Sequence, residues 1–241
     1  MEYAAYIAAI RENIDLLVDA AQQVGVAAPV PTCPGWTVDD LLVHVASELY
    51  ARVVKSRSTD RPDVSWFTAS PPPGDRYQRA RDHGNDLADA LASTPEDTPV
   101  WTFAGPGTTM FWARRGAHEI LIHRCDAEIA NGSLSPIDAD LAADGIDEFF
   151  ALAERRIASS MTGEGETLHF HCTDRDVEYL ATLTPTGLVV RREHAKGDVA
   201  VRAPASTLLL LLWNRLPHDN PDLEVYGDRA LLERWPRISR I

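Results

Sequence analysis

The chain has 241 residues, 45% hydrophobic and 24% charged, enough for one large core or two modest ones. Its formal net charge of −13 argues against nucleic acid as a main partner, because a phosphate backbone is bound by clustered cations, and it disfavours anionic membranes. A small anionic substrate stays open, since it meets only the local field of its pocket.

The amino end, MEYAAYIAAIRENIDLL, spreads its charges and lacks a basic start followed by an apolar core, so no secretory signal and a cytoplasmic location are expected. Residues 3–25 carry Tyr6, Ile7, Ile10, Ile14, Leu17 and Val18 at helical spacing. Gly25, Pro29, Pro31 and Pro34 break the chain. A second helix starts at Thr37, with Asp40 three positions on as an Asp version of the capping box. Leu41, Leu42, Val45, Leu49 and Val53 make its inward stripe, and His44 lies beside that stripe facing the bundle. A Pro- and Ser-rich loop over 58–75 holds Trp66, Phe67 and Pro71 to Pro73, and a loop of this length often lines a functional cleft. A third helix is predicted over about 75–92, then a loop with Trp101 and GPG at 105–107. The next helix runs from near Thr108 or Thr109 to an Asn131-Gly132 stop, and a fifth covers about 138–157 with Ile146, Phe149, Phe150 and Leu152.

Beyond Gly163 the pattern changes. LHFHC, VEYLATL, GLVVRRE and DVAVRA read as short strands. Pro204 opens a buried helix through LLLLLW at 208–213, a run far too short to span a bilayer. LEVYGD is a last strand and ALLERW a short helix. The expected fold class is α+β: an amino-terminal four-helix bundle with an additional helix over 1–160, then a small α+β domain over 161–241.

The chemistry centres on FWARRGAHEILIHRCDAE and LLVHVA. Glu119 and His123 are four residues apart, about one helical turn, so they share a face. His44 on a facing helix could complete an open zinc site with two nitrogen ligands and one oxygen ligand. Spacing alone equally allows a surface pair and a core histidine. HEILIH is one residue too long for the HExxH protease motif, and His118 points elsewhere than His123. Three protein ligands leave a position where zinc lowers the pKa of a bound water or thiol.

Arg114 and Arg115 lie one turn before Glu119. One could grip a substrate carboxylate through two parallel hydrogen bonds, or pair with an acid, or cover a domain seam. Asp126 could orient the His123 imidazole or belong to a surface ion pair. Arg215 could close the apolar helix or reach a cleft between domains. Trp36, Trp112 and Trp213 suit core or cleft walls; Trp36 and Arg52 are candidate cofactor contacts. Cys33, Cys125 and Cys172 form no CxxC pair and read as unpaired thiols, Cys33 near a helix start that could lower its pKa. His169 and His171 alternate on one strand and could bind metal with Cys172 nearby, or sit on a solvent face while Leu168 and Phe170 turn inward. No phosphate loop, GxSxG elbow or nucleotide fingerprint is present.

PTCPGWTVDDLLVHVA and FWARRGAHEILIHRCDAE resemble the mycothiol-dependent maleylpyruvate isomerase family, whose amino-terminal part is similar to the DinB-type metal-binding four-helix bundle. VRAPASTLLLLLWNRL followed by LEVYGD resembles its small second domain, so the likeness covers nearly the whole chain. The resemblance implies metal ligands at His44, Glu119 and His123, with zinc and mycothiol as cofactors. It implies that zinc stabilises the mycothiol thiolate, which adds to the double bond of maleylpyruvate, allows rotation and leaves to give fumarylpyruvate. An arginine, Arg215, would anchor the substrate carboxylate. An actinobacterial source, a reducing cytoplasm, and a monomer or homodimer acting on a small organic electrophile follow, with no nucleic-acid or membrane partner. Cys125 stands where the family pattern has an aromatic residue, which leaves the substrate open. A mycothiol S-transferase and a non-catalytic metal-stabilised binding protein are the alternatives.

Overall fold

A computed structural model describes residues 1–46, 49–63 and 74–239. The chain divides into two compact units, Met1–Ser135 and Pro136–Ile241. The sequence places that division at 160/161; the difference is one helix, discussed below.

In the first unit α1 (Tyr3–Val24) buries Tyr6, Ile10, Ile14, Leu17 and Val18, the stripe its periodicity predicts, against α4 (Arg76–Ala92) and α5 (Thr109–Ala130). α2 (Val38–Val45) starts at the expected capping box: the Asp40 backbone N–H donates to Thr37 Oγ1 at 3.3 Å, and the Thr37 N–H donates to Asp40 Oδ2 at 2.8 Å. The long second helix of the sequence reading is instead two helices, α2 and α3 (Leu49–Ser56). Trp66, Phe67 and Pro71 to Pro73, expected in a cleft-lining loop, lie outside the described residues. A two-stranded hairpin, β1 (Pro99–Val100) with β2 (Gly107–Thr108), occupies part of the expected loop around Trp101. α1, the α2–α3 pair, α4 and α5 form the helical bundle.

Two glycines set how closely these helices approach. A Cβ on Gly84 would lie 2.5 Å from Ile14 Cγ1, and one on Gly116 would lie 2.8 Å from Leu87 Cδ2. α5 is buried around nearly its whole circumference, from Thr109 to Glu128. Its charged side chains must therefore find partners inside the bundle. Arg124 does so through Asn13 Oδ1 at 3.0 Å, the Ser135 carbonyl at 3.0 Å and Glu128 at 3.4 Å.

The second unit opens with α6 (Ala139–Arg156). Its sheet runs β5–β4–β3–β6–β7 and is antiparallel except where β3 pairs parallel to β6. The strands are β3 (Glu166–Cys172), β4 (Glu178–Thr184), β5 (Gly187–Arg191), β6 (Val199–Ala203) and β7 (Glu224–Gly227). The leucine run is α7 (Ala205–Leu212), and α8 (Arg229–Glu233) and α9 (Trp235–Ile238) close the described chain. α6 falls in this unit for a physical reason. Phe149 packs on Trp213 and Trp235, and Phe150 packs on Phe170 and Tyr179, so its apolar face completes the sheet's core. The architecture is thus a DinB-like helical bundle followed by a mixed α/β sheet domain. Among the described residues no helix is long and apolar enough to cross a membrane.

Arg124→Ala would leave the buried Glu128 carboxylate without its guanidinium. Urea denaturation should show a loss of about 3–5 kcal/mol; a loss within error of zero would mean that the pair is not needed to hold α5.

Candidate metal centre

α5 and α2 bring the centre together. Glu119 and His123 are stacked one turn apart on the side of α5 that meets α2, and His44 projects from the last turn of α2. His44 Nε2 lies 2.9 Å from Glu119 Oε1, and His123 Nε2 lies 3.3 Å from the same oxygen. The two imidazoles are edge to face with centroids 4.8 Å apart. Trp36 closes one side, its ring 5.1 Å from His44 and stacked 6.2 Å from His123. His44 and Glu119 also line a cleft with Leu49, Tyr50, His83 and Leu87.

Behind the three side chains stands a buried set of supports. Asp126, fully buried, meets His123 Nδ1 at 2.9 Å through Oδ2. Thr32 Oγ1 donates to its other oxygen at 2.5 Å, and the Cys33 thiol donates to Oδ2 at 3.4 Å. Asp126 thus orients His123 and is no surface ion pair. With the Nδ1 proton directed at this carboxylate, the Nε2 lone pair of a neutral His123 faces Glu119. The Arg115 guanidinium, itself buried, bonds Glu119 Oε2 and leaves Oε1 toward the histidines.

The electrostatics follow from burial set against these partners. Burial pushes the Glu119 carboxyl up, but Arg115, then hydrogen bonds from His123 and His44, outweigh it and hold the group well below the usual carboxylate range. Burial pushes His123 down, but its hydrogen bonds to Asp126, Cys33 and Glu119 outweigh that and hold it well above the usual histidine range.

The donor set fits a divalent transition metal. Two imidazole nitrogens and a carboxylate oxygen gather within 4.8 Å of one another. Tetrahedral bonds of about 2.0–2.1 Å place neighbouring donors roughly 3.3 Å apart, close to the separations seen. Among the described residues two further groups could hold a metal ion: Cys33, His123 and Asp126, which shares His123, and His169, His171, Glu178 and His194 in the second unit.

The other residues singled out from sequence fall in different places. Trp36 stands at the centre. Arg115 is engaged with Glu119, the acid-pairing alternative, so it positions a candidate ligand. Arg52 is exposed and lines a neighbouring cleft with Ser56, Ser58 and Asp60. Arg215 belongs to the second unit, where its Nη1 donates to the Trp213 carbonyl at 2.7 Å, the helix-closing alternative. His118 packs against Tyr6, away from His123 as expected. Thr32, Tyr50 and His83 were not foreseen. His83 Nδ1 bonds the Ala46 carbonyl just past His44, a contact that no local spacing in the sequence announces.

Comparison with known proteins is consistent along the chain. The family model described as Mycothiol maleylpyruvate isomerase N-terminal domain matches residues 7–128, and that described as MDMPI C-terminal domain matches residues 140–234. A crystal structure of the mycothiol-dependent maleylpyruvate isomerase is similar in fold, with TM-score 0.56, 15% identity and 88% of each chain covered. A histidine-to-alanine mutant of the mycothiol-dependent maleylpyruvate isomerase aligns at TM-score 0.56 and 14% identity, again over 88% of each chain. No curated protein matches the sequence.

In the metal-free protein, the His123 imidazolium stabilises the fold at pH below the ordinary histidine range, and this is lost as pH rises through its raised pKa. The Glu119 carboxylate stabilises it above the ordinary carboxylate range, and this is lost as pH falls through its depressed pKa. A cation at His123 Nε2 displaces a proton. Zinc affinity, measured by competition with a chromophoric chelator, should therefore rise about tenfold per pH unit from neutrality until His123 is neutral. Asp126→Asn should flatten that rise and weaken binding by about 10–100-fold. An unchanged profile would remove Asp126 from any supporting role.

Proposed function

The chain belongs to the mycothiol maleylpyruvate isomerase family, and from that premise we propose that it is a zinc-dependent enzyme that activates mycothiol for addition to a small electrophile. The cis-trans isomerisation of maleylpyruvate to fumarylpyruvate is the named reaction of the family. The observation that carries this reading is the convergence of His44 Nε2 and His123 Nε2 on one oxygen of Glu119. His44, Glu119 and His123 would hold the ion.

Zinc held by three protein donors supplies an open position at which a thiol loses its proton near neutral pH. The residues around it have separate tasks. Asp126 fixes the tautomer and direction of the His123 ring. Arg115 pins the second oxygen of Glu119 and keeps the carboxylate ionised. Trp36 covers the two imidazoles on one side and limits water there. Leu49, Tyr50 and Leu87 give the cleft an apolar wall beside His44 and Glu119. In the isomerisation, the thiolate sulfur would form a bond to one carbon of the double bond while the electron pair moves into the conjugated carbonyl. Rotation about the resulting single bond and expulsion of the thiolate would regenerate the double bond, with no net change in the thiol.

Two points favour keeping a mycothiol S-transferase as the second reading. The open position serves either reaction, and Cys125, fully buried in α5, stands where the resemblance to the family leads one to expect an aromatic residue. A cytoplasmic location, a mycothiol-producing host and a monomer or homodimer complete the proposal.

His44→Ala, Glu119→Gln and His123→Ala should each lower bound zinc and cut mycothiol-dependent turnover by at least about 100-fold, read by metal analysis beside a thiol-consumption or isomerisation assay against a panel of small unsaturated acids and other electrophiles. Loss of turnover with full zinc retention in all three variants would contradict the ligand roles. Zinc retention by the wild type with no thiol-dependent turnover of any electrophile would favour a binding protein.

A further inference from the structure

The second unit carries a separate cluster that the proposed chemistry does not use. On β3, His169 and His171 are two residues apart and therefore on one face. His171 is directly opposite Glu178, the first residue of β4, and His169 is its diagonal neighbour through the pair His169–Leu180. His194 comes from the segment between β5 and β6 and is folded back over the same point. His171 Nδ1 is 3.0 Å from Glu178 Oε1, His169 Nε2 is 3.0 Å from Oε2, and His194 Nδ1 is 2.6 Å from Oε2. The four donor atoms all lie within 4.8 Å of one another.

The backbone is shaped to bring His194 there. Gly197 lies so close to β3 that a Cβ would sit 2.9 Å from the His169 backbone nitrogen. The connection between β5 and β6 is thus laid against the strand that bears two of the histidines. His169 is buried beneath it, while the His194 side chain remains 80% exposed. Cys172, a possible partner of these histidines from sequence alone, points to the other face with Leu168 and Phe170, and burial pushes its thiol up to about 12.

We propose that His169, His171, His194 and Glu178 form a second divalent transition-metal site, of zinc type. Three imidazoles and one carboxylate complete a four-donor set, so this site is closed, in contrast to the three-donor arrangement between α2 and α5. The three imidazole nitrogens stand 2.6–3.0 Å from the Glu178 oxygens, a little inside the roughly 3.3 Å separation of donors in a tetrahedral zinc site. A closed site has no position for substrate. Its role is structural: the ion clamps the connection before β6 onto β3 and β4.

The inference is independent of the proposed enzyme activity, because the two sets share no residue. The test uses the full chain carrying His44→Ala, Glu119→Gln and His123→Ala, so that the first centre is removed, and zinc alone as the probe. After chelator treatment and dialysis against zinc, this background should retain zinc by elemental analysis and melt at a higher temperature with zinc than without it. Adding His194→Ala, at an exposed position where folding is not at risk, should weaken zinc binding at least about tenfold and abolish the thermal shift. Adding His171→Ala as well should remove binding altogether. A background chain that is folded by circular dichroism yet binds no zinc, or that binds it equally well with and without His194 and His171, would overturn the site and leave a hydrogen-bonded cluster about Glu178.

Discussion

The burial of α5 is the constraint on which the first unit depends. A helix enclosed on nearly all sides cannot leave a charge unsatisfied. The charged and imidazole side chains of α5 are accordingly tied to one another, to α1, to the segment before α2 and to α2 itself. One chain of contacts runs from Thr32 and Cys33 to Asp126, on to His123, to Glu119, and from there to both Arg115 and His44. Another ties Arg124 to Asn13, Glu128 and Ser135. The first chain is what gives the candidate centre its order: each donor has its direction set by a neighbour that is itself held in place.

The same logic separates the two clusters. Between α2 and α5, two of three donors, His44 and Glu119, line a cleft, and the set is backed by a buried carboxylate and a buried guanidinium, an arrangement suited to an ion that keeps one position for a reactant. On the sheet, four donors lie within 4.8 Å of one another, one of them brought by the connection between β5 and β6, an arrangement suited to an ion that only holds chain segments together.

Much of this was legible in the sequence because the relevant signals are local. The periodicity of α1, the Thr37–Asp40 capping box, the Glu119–His123 spacing and the strand alternation around Leu168 and Phe170 each depend on a few neighbouring residues, and each survived folding. Other features depend on distant partners. α6 has a helical pattern, but only the meeting of Phe149 and Phe150 with Trp213, Trp235, Phe170 and Tyr179 assigns it to the second unit. Arg115 and Arg215 each admit more than one reading from sequence; the structure sets Arg115 against the Glu119 carboxylate and Arg215 against the Trp213 carbonyl. Thr32, His83 and His194 carry no recognisable spacing to the residues they join. His194 is 23 residues beyond His171, and it joins that cluster from the connection between β5 and β6, which Gly197 lets approach the β3 backbone.

The central claim is that His44, Glu119 and His123 bind one divalent ion and leave it an open position. Anomalous scattering from a zinc-loaded crystal tests it most directly. The predicted result is a zinc peak about 2.0–2.2 Å from His44 Nε2, a Glu119 carboxylate oxygen and His123 Nε2, with its remaining position taken by water or thiol. A zinc-bearing crystal with no peak between α2 and α5, or a peak there closed by a fourth protein ligand such as Cys33, would contradict it.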